Sequence, residues 1–526
     1  MNSGRVVIGM AADIESLNPL YAFNVNEGNI AELLYLNLFH HRWNDSDGDI
    51  YTEPMLAERW EWSEDSSSIM IFMRDDVYWS DGEQVTSDDV IFSFDIYSDP
   101  DVQSKLYGTF ISFYTKEDLR VDPEKTFNKI SSSQLKINFL PGSSPSLFNL
   151  DFAILPRHIF EKINRESFVS ESAGIKPVTN GAYRFERWDK EQSIVLRVNE
   201  QSYLTNSESI PEIIFKVVPD YTSRITQIKR GEIDFVEDIK PDDVGGLKKN
   251  AHLVIAPLKG REYEYIGWNN IDSEMYHKNG DIKPHRLFGS SSVRKALTYA
   301  INRKEILEEY LFNNGEMATG PVAPIFKNAV HPNLEPYPFD PDKAKKILSS
   351  EGWIDKDRDG ILEKNNIEFS FTLYIPGGNP RRNYTATMIK NNLKAVGINV
   401  NIATLEMGIF IDEMFGKKMD AWLASWFVAI PVELKPFWYS DLEVTPLNTA
   451  SYRNNRIDYY LTELEGKISE TRKNEVYRAF QEVIYDDQPV SFLYWIDNMT
   501  AYNKRIKNVN VDPLGFIHHC WEWSIE

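Results

Sequence analysis

The stretch LAERWEWSEDSSSIMIFMRDDVYWSDGEQVTSDDVIFSFD, residues 56–95, is the most informative part of this 526-residue sequence. It reads as a pair of strands followed by the pattern W-x-D-G-x-x-x-T-x-D-D-V. The defined positions of that pattern are Trp79, Asp81, Gly82, Thr86, Asp88, Asp89 and Val90. A pattern with so many defined positions is more specific than a short motif, so it is the starting point for predicting the fold.

Outside this stretch, helical and extended segments alternate, which favours mixed α/β domains over a helical bundle or an all-β sandwich. In the second half, apolar periodicity predicts helices over 293–301, 341–348, 388–396, 457–468 and 476–484, and strands over 398–402 and 490–495. Asp340-Pro341 predicts an N-cap followed by a proline at the first helical position. Ser291 or Ser292 is placed to cap the helix that contains 293–301.

Length and composition exclude several classes of protein. At roughly 150 residues per domain, the chain has room for about three or four folding units. Its formal charge of −22 argues against nucleic acid or an anionic membrane surface as a partner. Cys520 is the single cysteine, which excludes an internal disulfide, and the strongly apolar run 421–430 is too short to span a membrane. The opening Met1-Asn2-Ser3-Gly4 carries no export-signal pattern, so either the protein is cytosolic or a signal has been removed.

Signatures of catalysis and of metal binding are missing or incomplete. The sequence lacks GxxxxGK[ST], HExxH, GxSxG and GxGxxG, so we predict no catalytic residue, no cofactor and no metal site. Residues 355–360 reproduce the first half of a calcium loop, but Asn366 stands where the closing glutamate belongs, which favours a tight hairpin. His518-His519-Cys520 suggests soft-metal ligation. Because adjacent residues of a strand point to opposite faces, a terminal strand without a metal is the preferred interpretation.

Several segments, in order along the chain, resemble the bacterial extracellular solute-binding proteins that include the oligopeptide- and dipeptide-binding proteins of ABC importers. Besides 56–95, they are LNPLY at 17–21, PVTNGAYRFERW at 177–188, RGEIDFVEDI at 230–239, YEYIGWNN at 263–270, VRKALTYAINRKEI at 293–306, MIKNNLKAVGINVNI at 388–402 and QPVSFLYW at 488–495. The resemblance therefore spans nearly the whole chain.

The resemblance implies an α/β, two-lobed periplasmic-binding-protein fold of type II, in the large class whose first lobe carries an extra subdomain. The expected division is 1–45, 172–258 and 497–526 for the first lobe, 46–171 for the inserted subdomain and 259–496 for the second lobe. Ligand would lie between the lobes, which would close around it.

The function implied is that of the substrate-binding subunit of an ABC importer, which captures an extended solute and delivers it to a membrane permease. A short peptide is the first choice of solute, an oligosaccharide or another non-peptide is the alternative, and a hydrolase is a distant one. A receptor that hands its ligand to a sensor protein would have the same sequence features. We expect a monomer that catalyses nothing, located in the periplasm or outside the cell, with a lipid anchor as an option.

In peptide-binding members of this family, a strand containing a tryptophan pairs with the peptide, and an aspartate three residues later holds its α-ammonium group. The matching segment here is Ser425-Trp426-Phe427-Val428-Ala429, so Ala429 occupies the aspartate position. Loss of that charge leaves a buried ammonium unpaired, at a cost of about 3 kcal/mol or more. We therefore expect Glu433 to supply the carboxylate, and Arg381 or Arg382 to meet the carboxylate of the peptide.

Under the oligosaccharide alternative, the apolar faces of Trp426, Trp438 and Trp268 would grip the ligand. Core packing is the competing interpretation for each tryptophan. The predicted ligand-binding set is completed by three residues at and after the LNPLY segment, Tyr21, Phe23 and Asn24.

Overall fold

The computed structural model of the protein describes residues 4–143, 145–172 and 175–526. Met1–Ser3, which enter the prediction about an export signal, lie outside the described residues. The chain forms two compact units, the first made of Met1–Trp43, Ile50–Ala256 and Met499–Glu526, the second of Asn44–Asp49 and Pro257–Asn498. The finer division, with an inserted subdomain over 46–171, stays a prediction.

Most helices and strands lie entirely within one or the other of the two units. Two long strands have residues in both units. Those of the first unit, with the hairpin β2–β3 at its margin, are β1 (Arg5–Met10), α1 (Val25–Leu34), β2 (Phe39–Asn44), β3 (Asp49–Pro54), β4 (Ala57–Trp62), β5 (Ser68–Met73), α2 (Ser87–Tyr97), α3 (Pro123–Thr126), β6 (Phe127–Lys129), β7 (Gln134–Asn138), α4 (Arg157–Phe160), α5 (Phe168–Ser172), β8 (Tyr183–Asp189), β9 (Ser193–Val198), β10 (Glu212–Val217), α6 (Tyr221–Arg230), β11 (Phe235–Val236) and α7 (Pro241–Leu247). The first strand shared by the units is β12 (Leu253–Trp268).

Those of the second unit are α8 (Ser273–Asn279), α9 (Ser291–Ala300), α10 (Arg303–Glu309), β13 (Gly315–Met317), α11 (Pro341–Ser350), β14 (Glu363–Lys364), β15 (Ile367–Glu368), β16 (Ser370–Pro376), α12 (Pro380–Lys394), β17 (Asn399–Leu405), α13 (Met407–Phe415), β18 (Ala421–Phe427), α14 (Lys435–Trp438), α15 (Asn455–Leu464) and α16 (Glu470–Asp487). The second shared strand is β19 (Val490–Asn503), and the hairpin β20 (Ile506–Lys507) with β21 (Ser524–Ile525) follows in the first unit.

Each unit is built on a mixed sheet. In the first unit, β1 pairs in parallel with β10 and β11, and β10, β9 and β8 continue the sheet in antiparallel pairs. A separate antiparallel sheet of the same unit has the order β4-β5-β7-β6. In the second unit, β16 pairs in parallel with β17 and β18, and β18 pairs antiparallel with β12. Parallel pairs joined through helices are typical of α/β domains, as the sequence predicts.

The W-x-D-G-x-x-x-T-x-D-D-V pattern forms a tight turn and the start of α2. Gly82, at φ 98°, lies in the left-handed region that a turn requires, and its N–H donates to the carbonyl of Trp79 at 2.9 Å. The buried carboxylate of Asp89 accepts the backbone N–H of Thr86 at 2.8 Å and that of Arg157 at 2.9 Å. The pattern is therefore a helix start whose acid also fastens α4.

Helix-start signals in the second half are confirmed at one site and wrong at the other. Asp340 is the N-cap of α11, and its carboxylate accepts the N–H of Lys343 at 2.8 Å. The N-cap of α9 is Ser290, and its side chain makes no capping hydrogen bond. The prediction of Ser291 or Ser292 was wrong because three serines in a row offer the same chemistry at successive positions.

Each unit has a large apolar core of its own. In the first unit the core includes the buried Trp79, and in the second it includes Trp268, Trp353 and residues of α9, α12 and β16. Among the described residues, no helix combines the length and apolarity needed to cross a bilayer. Packing within its own apolar core therefore stabilises each unit.

Candidate functional site

The free end of β18 is the centre of the candidate site. Its pairing with β12 continues to the last residue, where Phe427 lies opposite Glu262, next to the pair of Trp426 and Tyr263. Its pairing with β16 on the other side reaches only Ala421 and Trp422. Among the described residues, the edge of β18 beyond Trp422 therefore has no strand partner on that side, and an extended chain can pair there.

Four of the predicted ligand-binding residues line one small pocket beside this edge, which we call the Trp426 pocket. They are Trp426, Phe427, Glu433 and Trp438, and the remaining lining residues are Tyr263, Pro321, Val428, Leu434 and Phe437. The pocket lies within the second unit. The sequence prediction grouped these four residues, and the structure brings them together.

Aromatic rings form one wall of the Trp426 pocket. Trp426 is half-buried and meets Phe437 edge to face, with ring centroids 5.0 Å apart. Behind it, the ring of Tyr265 stacks at 6.5 Å. Trp438 is only 4% exposed and packs against Phe492 at 6.0 Å, so most of this indole serves the core. Trp426 and the 56% exposed Phe427 are therefore the rings available to a solute.

Glu433 supplies the negative charge of the pocket. Its side chain is exposed, and among the described residues it has neither an ion-pair partner nor a hydrogen-bond partner. Ala429 is also exposed, in the loop directly after β18. The residue that carries the carboxylate in this loop is thus Glu433, four positions beyond the alanine.

Arg381 and Arg382 lie in the first turn of α12 and already share a carboxylate. Arg381 Nη2 lies 2.7 Å from Glu264 Oε2, and Arg382 Nε lies 2.8 Å from Glu264 Oε1. The side chain of Glu264 is fully buried, so it requires this counter-charge. Arg382 also donates to the Ser425 hydroxyl at 2.8 Å.

These contacts correct the prediction for Arg382, whereas a contact of Arg381 with a ligand carboxylate stays a prediction. Arg382 is 9% exposed, and its guanidinium is used by Glu264 and Ser425. For Arg381, burial lowers the pKa, but the nearby Glu264 and Glu262 raise it more, so the guanidinium stays charged. The two arginines thus fix Ser425 and the start of α12 beside the pocket.

Arg261 is a further cation at the site that the sequence prediction missed. Its Nη1 donates to the carbonyl of Val428 at 2.7 Å, and its guanidinium lies 4.3 Å from the centroid of the Phe427 ring. The Val428 N–H donates back to the Arg261 carbonyl at 2.8 Å. Arg261 therefore holds the chain at the point where β18 ends and the loop to Glu433 begins.

Sequence signals for Glu264 and Arg261 exist but are weak. Glu264 stands between Tyr263 and Tyr265 in the apolar segment YEYIGWNN, and a charge inside a buried strand demands a partner. The adjacent pair Arg381-Arg382 is a candidate partner by charge alone. Nothing in the local pattern at Arg261 separates it from an ordinary exposed cation.

Trp268 is a core residue, which corrects its prediction as a ligand contact. Its side chain is fully buried, and its indole N–H donates to the Ser491 hydroxyl at 3.0 Å. Phe288 and Phe371 pack against its ring at 4.9 and 5.8 Å. No face of the indole remains for a ligand.

Tyr21, Phe23 and Asn24 lie in the first unit, at the start of α1. Tyr21 and the 70% exposed Phe23 line a cavity of about 700 Å³, together with Trp188. Asn24 is the N-cap of α1, and its side chain accepts the N–H of Glu27 at 3.0 Å. The prediction of Asn24 as a ligand residue stays a prediction, and its side-chain oxygen is used for capping.

Two segments have sequences that suggest metal binding, residues 355–360 and His518-His519-Cys520. A tight hairpin is predicted between the helix before 355–360 and the strand that starts at Ile367. It is present as β14 and β15, joined by Asn365-Asn366. His518 and His519 lie in a turn and not in a strand, so that prediction was wrong. His519 is at φ 57°, and this left-handed conformation brings the two imidazole centroids within 3.7 Å of each other.

Comparison with known proteins places this architecture. The family model described as bacterial extracellular solute-binding proteins, family 5 Middle, matches residues 52–443. The oligopeptide-binding protein AppA of Bacillus subtilis (strain 168) is 25% identical over 524 residues, which cover 99% of this chain and 91% of that protein.

Two solved structures share the fold. The structure of AppA from Bacillus subtilis in complex with a nonapeptide has a TM-score of 0.71 and 24% identity, and covers 99% of each chain. NikZ from Campylobacter jejuni in complex with Ni(L-His) has a TM-score of 0.72 and 24% identity, and covers 100% of each chain. The predicted two-lobed α/β fold is confirmed by these likenesses.

Proposed function

The chain belongs to the bacterial extracellular solute-binding proteins of family 5, and from this premise we propose that its solute is a short peptide bound at the Trp426 pocket. The observation that carries the proposal is the meeting of a free strand edge, an aromatic wall and an unpaired carboxylate at the end of β18. A peptide offers a complementary group for each of the three.

The free edge of β18 supports an extended peptide. Main-chain N–H and C=O groups on an unpaired edge accept another strand without regard to its side chains. Trp426 and Phe427 then provide apolar contact for alternate side chains of the peptide. An oligosaccharide could stack on the same rings but would leave the edge unpaired.

Glu433 supports recognition of the amino terminus. The carboxylate has no competing cation among the described residues, so a peptide ammonium group would be its first partner. Hydrogen bonds to charged groups contribute about 1.5–3 kcal/mol. Arg261, which lies against Phe427, positions the loop that carries Glu433.

The proposed role is delivery of the peptide to the permease of an ABC importer, without catalysis. The protein would act in the periplasm or outside the cell, as a monomer, with or without a lipid anchor. Tyr21 and Phe23 are proposed as the solute contacts of the first unit. AppA, an oligopeptide-binding protein, is similar to this chain over almost its whole length and supports this role.

A thermal-shift screen tests the proposal. Mixed peptides of three to nine residues are compared with cello- and manno-oligosaccharides on the wild type, Trp426→Ala and Glu433→Gln. Only peptides should raise the melting temperature. Trp426→Ala should weaken peptide binding about 30-fold, as the loss of ~2 kcal/mol from an anchoring aromatic residue does, and Glu433→Gln about tenfold.

Two exposed residues of the same unit provide matched controls. Tyr459→Ala removes a 61% exposed ring far along the chain from β18, and Glu443→Gln neutralises an exposed acid after α14. Both should bind peptides like the wild type. If only oligosaccharides raise the melting temperature, the solute is a sugar and not a peptide. If Glu433→Gln binds peptides with unchanged affinity, Glu433 does not contact the peptide.

A further inference from the structure

A cluster of imidazoles and carboxylates lies in the first unit, where the end of α1 meets the C-terminal turn. Glu32, His518 and His519 each offer one ligand atom, and these three atoms all lie within 4.8 Å of one another. His518 Nε2 is 3.1 Å from Glu32 Oε1. None of these residues belongs to the Trp426 pocket.

His519 has no partner that accounts for its position. Its side chain is 2% exposed, and neither Nδ1 nor Nε2 has a hydrogen-bond partner among the described residues. Its surroundings are the rings of His518, His40 and Trp521, at centroid distances of 3.7, 4.8 and 4.9 Å. A neutral imidazole has one N–H donor and one lone pair, and leaving both unsatisfied in the interior is costly.

Acidic side chains lie on two sides of His518. Its Nε2 faces Glu32, and its Nδ1 lies 4.0 Å from Asp512 Oδ2. An outer carboxylate that faces one imidazole nitrogen and leaves the other for the metal is the usual arrangement around metal-binding histidines. An ion pair between His518 and Glu32 would explain this residue by itself, but it would leave His519 unexplained.

Charge around the cluster favours a cation. The negative charges of Glu32, Asp512 and Asp151 lie near His518. The nearby Arg42 is already paired with Glu53 and Glu522. Neither ring nitrogen of His519 has a hydrogen-bond partner among the described residues, so a lone pair of this imidazole is free for a metal ion. A neutral imidazole is the form that binds metals.

We propose that Glu32, His518 and His519 bind a divalent transition-metal ion, such as Zn²⁺, that ties the C-terminal turn to α1. Two imidazoles and one carboxylate suit Zn²⁺, whose bonds to these atoms are about 2.0–2.2 Å long. Ligand atoms around such an ion lie about 3–3.5 Å apart, so the cluster needs only a small contraction. Side-chain exposures of 24% for Glu32 and 16% for His518 leave a route for the ion.

Calorimetric titration of chelator-treated protein with zinc chloride tests the site. The wild type should bind one Zn²⁺ per chain, and His519→Gln and Glu32→Gln should each weaken that binding at least tenfold. With Co²⁺ in place of Zn²⁺, the wild type should develop visible absorption bands that both variants lose. Glu32→Gln changes a partly exposed side chain by one group, so it decides the matter even if His519→Gln folds poorly.

His158→Gln is the matched control. His158 Nε2 pairs with Asp81 Oδ2 at 2.8 Å in the same unit, but this pair has no third ligand among the described residues. The variant should bind Zn²⁺ like the wild type. Absence of saturable Zn²⁺ binding by the wild type would overturn the proposal, as would a Zn²⁺ affinity in His519→Gln and Glu32→Gln equal to that of the wild type. Neither outcome bears on peptide binding, which the thermal-shift screen reads separately.

Discussion

At the scale of single residues, Glu264 connects two elements of the second unit. One fully buried carboxylate holds two arginines at the start of α12, and through Arg382 it also holds Ser425 of β18. A residue that appears in the sequence as one acid in an apolar strand thus anchors two elements beside the Trp426 pocket.

Replacing Glu264 should destabilise the protein strongly. Glu264→Gln leaves two partly or fully buried guanidinium groups without their carboxylate, and removal of one partner of a buried pair costs about 3 kcal/mol or more. Urea denaturation measures the loss. Glu262→Gln is the control, because Glu262 is 33% exposed and 3.6 Å from Arg381, and its loss should cost under about 1 kcal/mol. Equal effects of the two substitutions would show that burial of Glu264 does not govern the cost.

Ala429 invites a substitution that adds a charge. The resemblance implies an aspartate here in peptide-binding relatives, and the exposed position has room for one. Ala429→Asp should tighten the binding of peptides with a free amino terminus about tenfold, equivalent to ~1.4 kcal/mol, and leave N-acetylated peptides unaffected. Titration calorimetry with both forms measures the difference. An equal change for both forms would mean that no ammonium group lies near this loop.

At the scale of elements, caps and turns decide where the functional segments lie. The carboxylate of Glu27 accepts the N–H groups of Glu15 and Phe23, both at 2.9 Å, which folds the segment before α1 back onto the helix. The capping box of Asn24 and Glu27 is therefore a device that positions Tyr21 and Phe23. In the same way, the left-handed backbone conformation of His519 brings its ring next to that of His518.

Asp340 provides a direct test of one predicted element. Asp340→Ala should lower the free energy of unfolding by about 1 kcal/mol, because the Lys343 N–H loses its acceptor. Asp340→Asn should retain nearly all of the stability, since asparagine caps equally well. Urea denaturation of the three proteins measures both values. If alanine and asparagine prove equivalent, the cap does not contribute.

Sequence patterns predicted the elements well where a local signal was strong. The helix α11 had both an aspartate cap and a proline at its first position, and the motif over 56–95 contained the capping acid of α2. They failed where only tertiary structure decides. Trp268 and Trp426 look alike in sequence, but one is fully buried and the other half-buried. Positive φ is uncommon for a non-glycine residue, so the local sequence did not predict it at His519.

At the scale of the whole molecule, the order of the family motifs predicted the fold. The charges of single residues were a weaker guide to the ligand-binding residues. The segments that carry the resemblance form elements of both units, such as most of α2 in 56–95, most of α9 in 293–306 and the start of β19 in 488–495. The two units have separate cores. By contrast, Arg381 and Arg382 were predicted as ligand-binding residues from their charge alone, and in the structure both form ion pairs with Glu264. Recognition of the solute depends on which charged side chains remain without an ion-pair partner. Only the tertiary structure shows which side chains these are.

Native mass spectrometry tests the central claim most directly. The purified protein is incubated with an equimolar mixture of peptides of three to nine residues and oligosaccharides of similar mass, at about 100 times the expected dissociation constant, where a bound ligand contributes about 2.7 kcal/mol of stability. We predict one peptide per chain, recovered with unchanged mass, and no bound sugar. A bound oligosaccharide, or peptides recovered as hydrolysed fragments, would contradict the assignment of this chain as a peptide-binding protein.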